Sequence, residues 1–132
     1  MSDRGTFHCV VVTPERAVLD TEAEFVAMPA WDGEIGILRH RAPLMVKLGI
    51  GVLRVTTAES TQKMAIDGGF AEMVDNELTV LTEHAYFAAD LEREAVEQSL
   101  SEALDMDAPD PGWMDKRQRQ IDRARAQLKI LG

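Results

Sequence analysis

Over about 85 residues the chain alternates apolar and polar positions in short runs, each closed by a turn signal. Thr6 to Val12 is β-branched and apolar, Thr13-Pro14-Glu15-Arg16 is a turn, and Ala17-Val18-Leu19 resumes the apolar run. This predicts a hairpin. Glu22 to Met28 alternates through Glu24, Phe25, Val26 and Met28, predicting one half-buried strand that ends at Pro29. Trp31 to Leu44 holds Gly33 and Gly36 between apolar residues, then Ala42-Pro43. Glycine relaxes the backbone and proline removes a donor, so a tight turn, a short buried strand and a second bend are expected.

Lys47 to Gly51 bends the chain again, and Val52 to Thr56 alternates up to a small polar turn at Thr57 to Thr61. Gln62 to Asp67 predicts a strand with Met64 and Ile66 on one face and Ala65 on the other. Gly68-Gly69 interrupts it, and Phe70 to Val74 runs to Asp75-Asn76, a pair that tolerates left-handed backbone and leads into Leu78 to Thr82. Many short strands in series indicate an antiparallel sandwich or barrel, and periodicity does not choose between them.

From Asp90 the spacing becomes three and four, through Leu91, Ala95, Val96, Leu100, Ala103 and Leu104. Asp90 is the expected cap, with Glu92 and Glu94 in the first turn. Pro109 stops this helix, and Asp110-Pro111 starts another that carries Met114, Ile121 and Leu128 at intervals of seven, with Ala124 and Leu131 alongside. The division expected is a β-sandwich over residues 1–88 and an α-helical hairpin over 89–132. Residues 90–110 carry eight carboxylates and one arginine; residues 113–129 carry six cations and two carboxylates. Packed antiparallel, the two faces should attract, each exposed pair contributing about 0.2 to 1 kcal/mol. Docking of the hairpin should be weak and reversible.

Composition narrows the function. A net charge of −9 and a pI near 4.7 disfavour a general nucleic-acid binder, because phosphates would be repelled. Cys9 is the single cysteine, so no internal disulfide can form. No apolar run approaches the roughly 20 residues that span a bilayer, so direct membrane insertion is not expected. Met1 to Gly5 carries neither an apolar signal core nor an Arg-rich leader, and a protein used in the cytoplasm is expected.

The stretch from Gly33 to Leu44 also resembles a family segment. Gly33-Glu34-Ile35-Gly36-Ile37-Leu38 followed by Ala42-Pro43-Leu44 is similar to the GELGIL...HAPL segment of the epsilon subunits of bacterial F-type ATP synthases, equivalent to the mitochondrial delta subunits. Phe7-His8 with Val11-Val12 and Pro14-Glu15 resembles the opening strand and S-P-E turn of that family. Asp67-Gly68-Gly69-Phe70 resembles its S-G-G-F, and Leu78-Thr79-Val80-Leu81 through Ala85 its V-T-V-L-A-x-x-A. The resemblance implies a flattened sandwich of about ten strands. It also implies a non-catalytic place in a central stalk, at the cytoplasmic face of a bacterial membrane, between the gamma subunit, the c-ring and the alpha/beta catalytic head.

Site residues follow from the same resemblance. Glu34 is expected on the surface that meets the c-ring loops, with Arg39, His40 and Arg41 beside it; the family commonly has Pro-Gly-His where this chain has Arg39-His40-Arg41. Arg117, Arg119, Arg123, Arg125 and Lys129 are expected to meet an acidic segment of a beta subunit when the hairpin opens, restraining ATP hydrolysis. Ile121-Asp122-Arg123-Ala124-Arg125-Ala126 fits the I/L-D-x-x-R-A pattern with which some members bind ATP. That pattern belongs at the start of the first helix, where this chain has Leu91-Glu92-Arg93-Glu94-Ala95-Val96. The match through Asp122 and Arg125 is therefore read as a coincidence of common helix formers, and no cofactor is expected.

His8, His40 and His84 lack ligand-like spacing, so no metal is expected. Neither a G-x-S-x-G nor a phosphate-binding loop occurs. A contrasting reading is a free β-sandwich that binds a ligand and dimerises through its helical tail, which requires an enclosed apolar pocket.

Overall fold

The computed structural model describes residues 5–132, and residues 1–4 of the expected leaderless terminus lie outside it. The strands are β1 (Phe7–Val12), β2 (Ala17–Ala23), β3 (Phe25–Ala30), β4 (Gly33–Ile37), β5 (Leu44–Thr56), β6 (Thr61–Val74), β7 (Glu77–Leu81) and β8 (Ala85–Tyr86). A 3₁₀ turn at Ala88–Asp90 leads to α1 (Arg93–Asp105) and α2 (Pro111–Leu131). The sheet order is β2-β1-β7-β6-β5-β3-β4, with β8 beside β6. β1 and β7 pair in parallel; the other pairings are antiparallel.

β5 and β6 serve both layers of the sandwich. The first part of β5 pairs with the last part of β6, from Leu44 against Met73 to Leu48 against Gly69, and β6 there carries β7 and β1. The remainder pairs from Ile50 against Asp67 to Thr56 against Thr61, where β6 carries β8 and β5 carries β3 and β4. Counted by halves, the eight strands supply the ten segments that the resemblance implies. The breaks expected at Lys47 to Gly51 and at Gly68-Gly69 are bends inside continuous strands. Gly69 has φ +116°, and a Cβ there would run into the Leu81 carbonyl, so only glycine lets β6 turn the corner against β7.

Two expectations change. The single strand from Glu22 to Met28 is split: Ala23 ends β2, which pairs with β1, and Phe25 opens β3, which pairs with β5. The chain changes layer at Glu24, whose N–H donates to the Thr56 carbonyl at 2.7 Å. β4 is an edge strand in which Gly33, Glu34 and Gly36 are exposed and only Ile37 is buried, not the buried strand expected. Between the layers, Phe7, Met28, Ile37, Leu53, Met64, Ile66, Met73 and Leu78 are fully buried. Each contributes about 1.5 to 3 kcal/mol by leaving water.

α2 begins as predicted: the Asp110 carboxylate accepts the Trp113 N–H at 3.0 Å, and Pro111 opens the helix. α1 begins two residues later than expected. Asp90 instead accepts the Phe87 N–H at 2.9 Å and closes the 3₁₀ turn, leaving Glu92 at the cap with no side-chain hydrogen bond. α2 lies against β5 and β6, and α1 packs on α2. Among the described residues no ion pair joins α1 to α2. Arg117 donates to the Leu104 carbonyl at 3.1 Å, Arg119 pairs within its own helix with Asp115, and Arg123 pairs with Asp67 of β6. The expected helix-to-helix charge pairing is thus redirected, because the inner side of α2 faces the sheet.

Gly69→Ala should cost about 3 kcal/mol, combining left-handed strain with backbone overlap at the corner. The urea unfolding midpoint, compared with that of Gly112→Ala in an exposed first helical turn, checks it.

Candidate functional site

The outer face of the β2-β1-β7 layer carries an exposed apolar row. Alternation turns Val10 and Val12 of β1, Leu81 of β7, Phe70 and Val74 of β6 and Met45 of β5 outward. The register sets Val12, Leu81, Phe70 and Lys47 side by side across four strands, with Val10, Thr79, Glu72 and Met45 in the next row. Phe70 and Leu81 are about half exposed and Met45 is 68% exposed. Pro14, Phe70 and Leu81 line a shallow groove of about 450 Å³. A contiguous apolar strip on one face of a small protein marks a contact surface. Covering Phe70 and Leu81 would gain roughly 1 kcal/mol each.

The same face ends in a charged cluster. His8 Nε2 lies 2.6 Å from Asp20 Oδ1, and its Nδ1 lies 2.7 Å from Glu77 Oε2. A neutral imidazole has one N–H, so donating to both carboxylates requires the imidazolium. The bond to Asp20 first, then that to Glu77, raises the His8 pKa above its ordinary value. The cluster ties β2, β1 and β7 together at the surface.

Glu34 and the Arg39 to Arg41 loop occupy opposite ends of β4, roughly 16 Å apart at about 3.3 Å per strand residue. Glu34 accepts from Arg54 of β5 at 3.1 Å, both side chains being about half exposed. Trp31, in the turn before β4, is 71% exposed and shares a groove with Glu34, Met45 and Lys47. His40 has φ +58°, a left-handed conformation that the glycine of the resembling segment can take without strain, and its N–H donates to Asn76 Oδ1 at 2.7 Å. Asn76 in turn donates to the Thr6 carbonyl at 3.1 Å. The loop is therefore fixed to the β6–β7 turn.

On α2, Arg123 is engaged by Asp67, while Asp122, Arg125 and Lys129 line a shallow groove against Ile50, Gly51 and Val52. Asp122 accepts from Gln118 one turn back. Asp122 and Arg125 thus border β5, whereas a nucleotide held between the helices would need them beside α1. Sequence reading missed Arg54 and Asp67. Arg54 carried no signal, being one polar position in an alternating strand. Asp67 stands where the resembling S-G-G-F has serine, a change visible in the sequence with no partner to give it meaning.

Reactive groups are placed elsewhere. Cys9 is buried, and its thiol pKa is pushed up to about 12 by desolvation first and the Asp20 charge second. His84 stacks on Tyr86, with ring centroids 6.0 Å apart. Among the described residues no three His, Cys, Asp or Glu side chains converge as metal ligands.

Residues 6–88 match the family described as ATP synthase, Delta/Epsilon chain, beta-sandwich domain. The chain is 44% identical over 124 residues to the ATP synthase epsilon chain of Rhodopirellula baltica, covering 94% of this chain and 97% of that one. It is 37% identical over 128 residues to the epsilon chain of Gloeothece citriformis, covering 92% of each. The fold is shared with a chain of the Euglena gracilis mitochondrial ATP synthase, at TM-score 0.86 and 18% identity over 100% of this chain and 85% of that chain. A chain of the Tetrahymena thermophila central stalk and c-ring gives TM-score 0.69 at 13% identity, over 95% and 96%.

The His8 cluster gives a pH test. Because the folded pKa is raised, the contribution of His8 is complete below the unfolded value of about 6.5 and is lost as pH rises through the folded value. From pH 6 to 9, unfolding stability should decline more for the unmodified chain than for His8→Gln in urea titrations. Parallel profiles would contradict the clamp.

Proposed function

The chain belongs to the ATP synthase delta/epsilon family, and from that premise we propose that it is a non-catalytic rotor part that joins a gamma subunit to a c-ring. The single observation that carries this reading is the outward-facing row of Val12, Leu81 and Phe70, with Met45 in the row beside it. It lies on the layer opposite the one that α2 covers, so one side of the slab is free for a permanent partner while the other holds the hairpin. We assign the row to gamma. A rotating contact must bear torque, and apolar burial across four hydrogen-bonded strands resists shear because the strands cannot move singly.

Glu34 and Trp31, exposed beyond the end of the row, are the side we assign to the c-ring, with Arg54 holding the carboxylate in place. The Arg39 to Arg41 loop, at the other end of β4, is the weaker part of that assignment. Among the described residues no helix is long and apolar enough to cross a membrane, which fits attachment to a bacterial membrane, on its cytoplasmic side, through other subunits. The hairpin is the regulatory element: α2 opens from the sheet, and Arg117, Arg119, Arg123, Arg125 and Lys129 meet an acidic segment of the catalytic head. No cofactor enters this reading, since Asp122 and Arg125 border β5 and not the space between the helices. The grooves are shallow and open, which favours this reading over a free ligand-binding module.

Phe70→Glu and Leu81→Glu should each reduce copurification of gamma with the chain by about tenfold or more, since a carboxylate would replace an apolar contact. Both sites are solvent-exposed, so the thermal midpoint of the free chain should barely move. Deleting the chain from residue 90 onward should raise ATP hydrolysis severalfold with assembly intact. Equal rates in the truncated and complete enzyme would remove the inhibitory role.

A further inference from the structure

Among the described residues, Arg123 alone joins the hairpin to the sandwich through an ion pair, its Nε donating to Asp67 Oδ2 at 2.9 Å. Asp67 lies in β6 opposite Ile50, and its side chain is only 15% exposed. Screening is weaker there than for a pair standing in water. The apolar contribution to docking is slight: the buried residues of the two helices are Val96, Ala103, Ile121, Ala124 and Ala126, three of them alanines. The surrounding charge is unfavourable. Arg54 and Lys63 of the sheet share a groove of about 540 Å³ with Lys129, and Arg125 borders the next groove. Glu34 and Asp122 are the acids on these rims, the first already given to Arg54 and the second to Gln118.

One attractive pair therefore holds together two surfaces whose other cations repel. We infer that Asp67 is an internal stand-in for the acidic partner of α2, occupying Arg123 while the hairpin is docked and surrendering it when the hairpin opens. A guanidinium bonded through Nε to one carboxylate has to break that bond before it can receive another in the same geometry. Docking and engagement of the acidic partner thus compete for a single side chain. The resembling S-G-G-F segment has serine at this position, so the latch is a property of this chain, written into its Asp67-Gly68-Gly69-Phe70. The inference rests on the proposal that α2 meets an acidic segment.

Asp67→Asn and Arg123→Gln break the same ion pair with opposite consequences. Each is made together with Ala65→Cys, on the helix-facing side of β6 and 3% exposed, so that maleimide labelling of the full chain reports undocking. Cys9, buried in the core, is the internal check that the variant is folded. Labelling should rise about fivefold in both variants, the worth of one such pair. In the assembled ATP synthase, hydrolysis should fall with Asp67→Asn, which frees Arg123, and should not fall with Arg123→Gln, which removes it. Unchanged labelling in both variants would overturn the latch whatever hydrolysis does. Raised labelling with equal hydrolysis in the two variants would overturn the stand-in role, provided that deletion from residue 90 still raises hydrolysis. Should that deletion have no effect, the inhibitory reading fails and labelling alone decides the latch. Asp67→Ser, restoring the residue of the resembling segment, replaces Asp67→Asn if the latter does not fold.

Discussion

β5 and β6 each run through both layers of the sandwich, and the rest of the molecule is placed by the way they bend. Their paired first and last halves put Leu48 against Gly69 and Gly51 against Ile66 on either side of the corner. A side chain at Gly69 would strike the Leu81 carbonyl, so β7 could not follow β6 there. With the bend in place, Met64 and Ile66 from one half and Met73 from the other point into one core. The two outer faces are then committed to different tasks. One carries the row of Val12, Leu81 and Phe70, and the other carries α2.

Much of this was legible along the chain. The β1–β2 hairpin, the Asp75-Asn76 turn with φ of +50° and +62°, and the start of α2 at Asp110-Pro111 are local events, and local residues specify them. Whatever required knowing the neighbour was not legible. Alternation through Glu22 to Met28 is the same whether the chain stays in one layer or crosses to another, and only the Glu24 bond to Thr56 distinguishes them. In Phe70 to Val74, Ala71 and Met73 form one face and Phe70, Glu72 and Val74 the other, so sequence does not say whether Phe70 and Val74 face the core. Register against β7 and β5 turns them outward. Arg54 and Asp67 became meaningful only when paired with Glu34 and Arg123, which lie 20 and 56 residues away.

His40 shows how the chain absorbs a departure from its family. The resembling segment has glycine at this place, and a histidine at φ +58° costs about 1 to 2 kcal/mol of backbone strain. The bond from its N–H to Asn76 returns on the order of 1 kcal/mol, and the Asn76 bond to Thr6 keeps that acceptor oriented. The substitution is tolerated because the turn it leans on is itself fixed by left-handed residues that asparagine and aspartate adopt readily. Three basic residues can thereby stand on a rigid loop without glycine.

Stability is distributed unevenly for a reason that charge makes plain. The sandwich is held by large buried side chains and by ladders that span both layers, and neither depends on salt or pH to first order. The hairpin is held by alanines, two β-branched residues and one ion pair. Because α2 is cationic and the whole chain carries −9, the remainder of the chain is strongly acidic and attracts α2 at long range. That attraction fades beyond about 8 Å at physiological ionic strength, whereas the Asp67 contact acts at 2.9 Å. The general field can return an opened hairpin to the vicinity of the sheet without fixing where it lands. The short-range pair sets the seat, and with it the threshold at which another acidic surface could take α2 away.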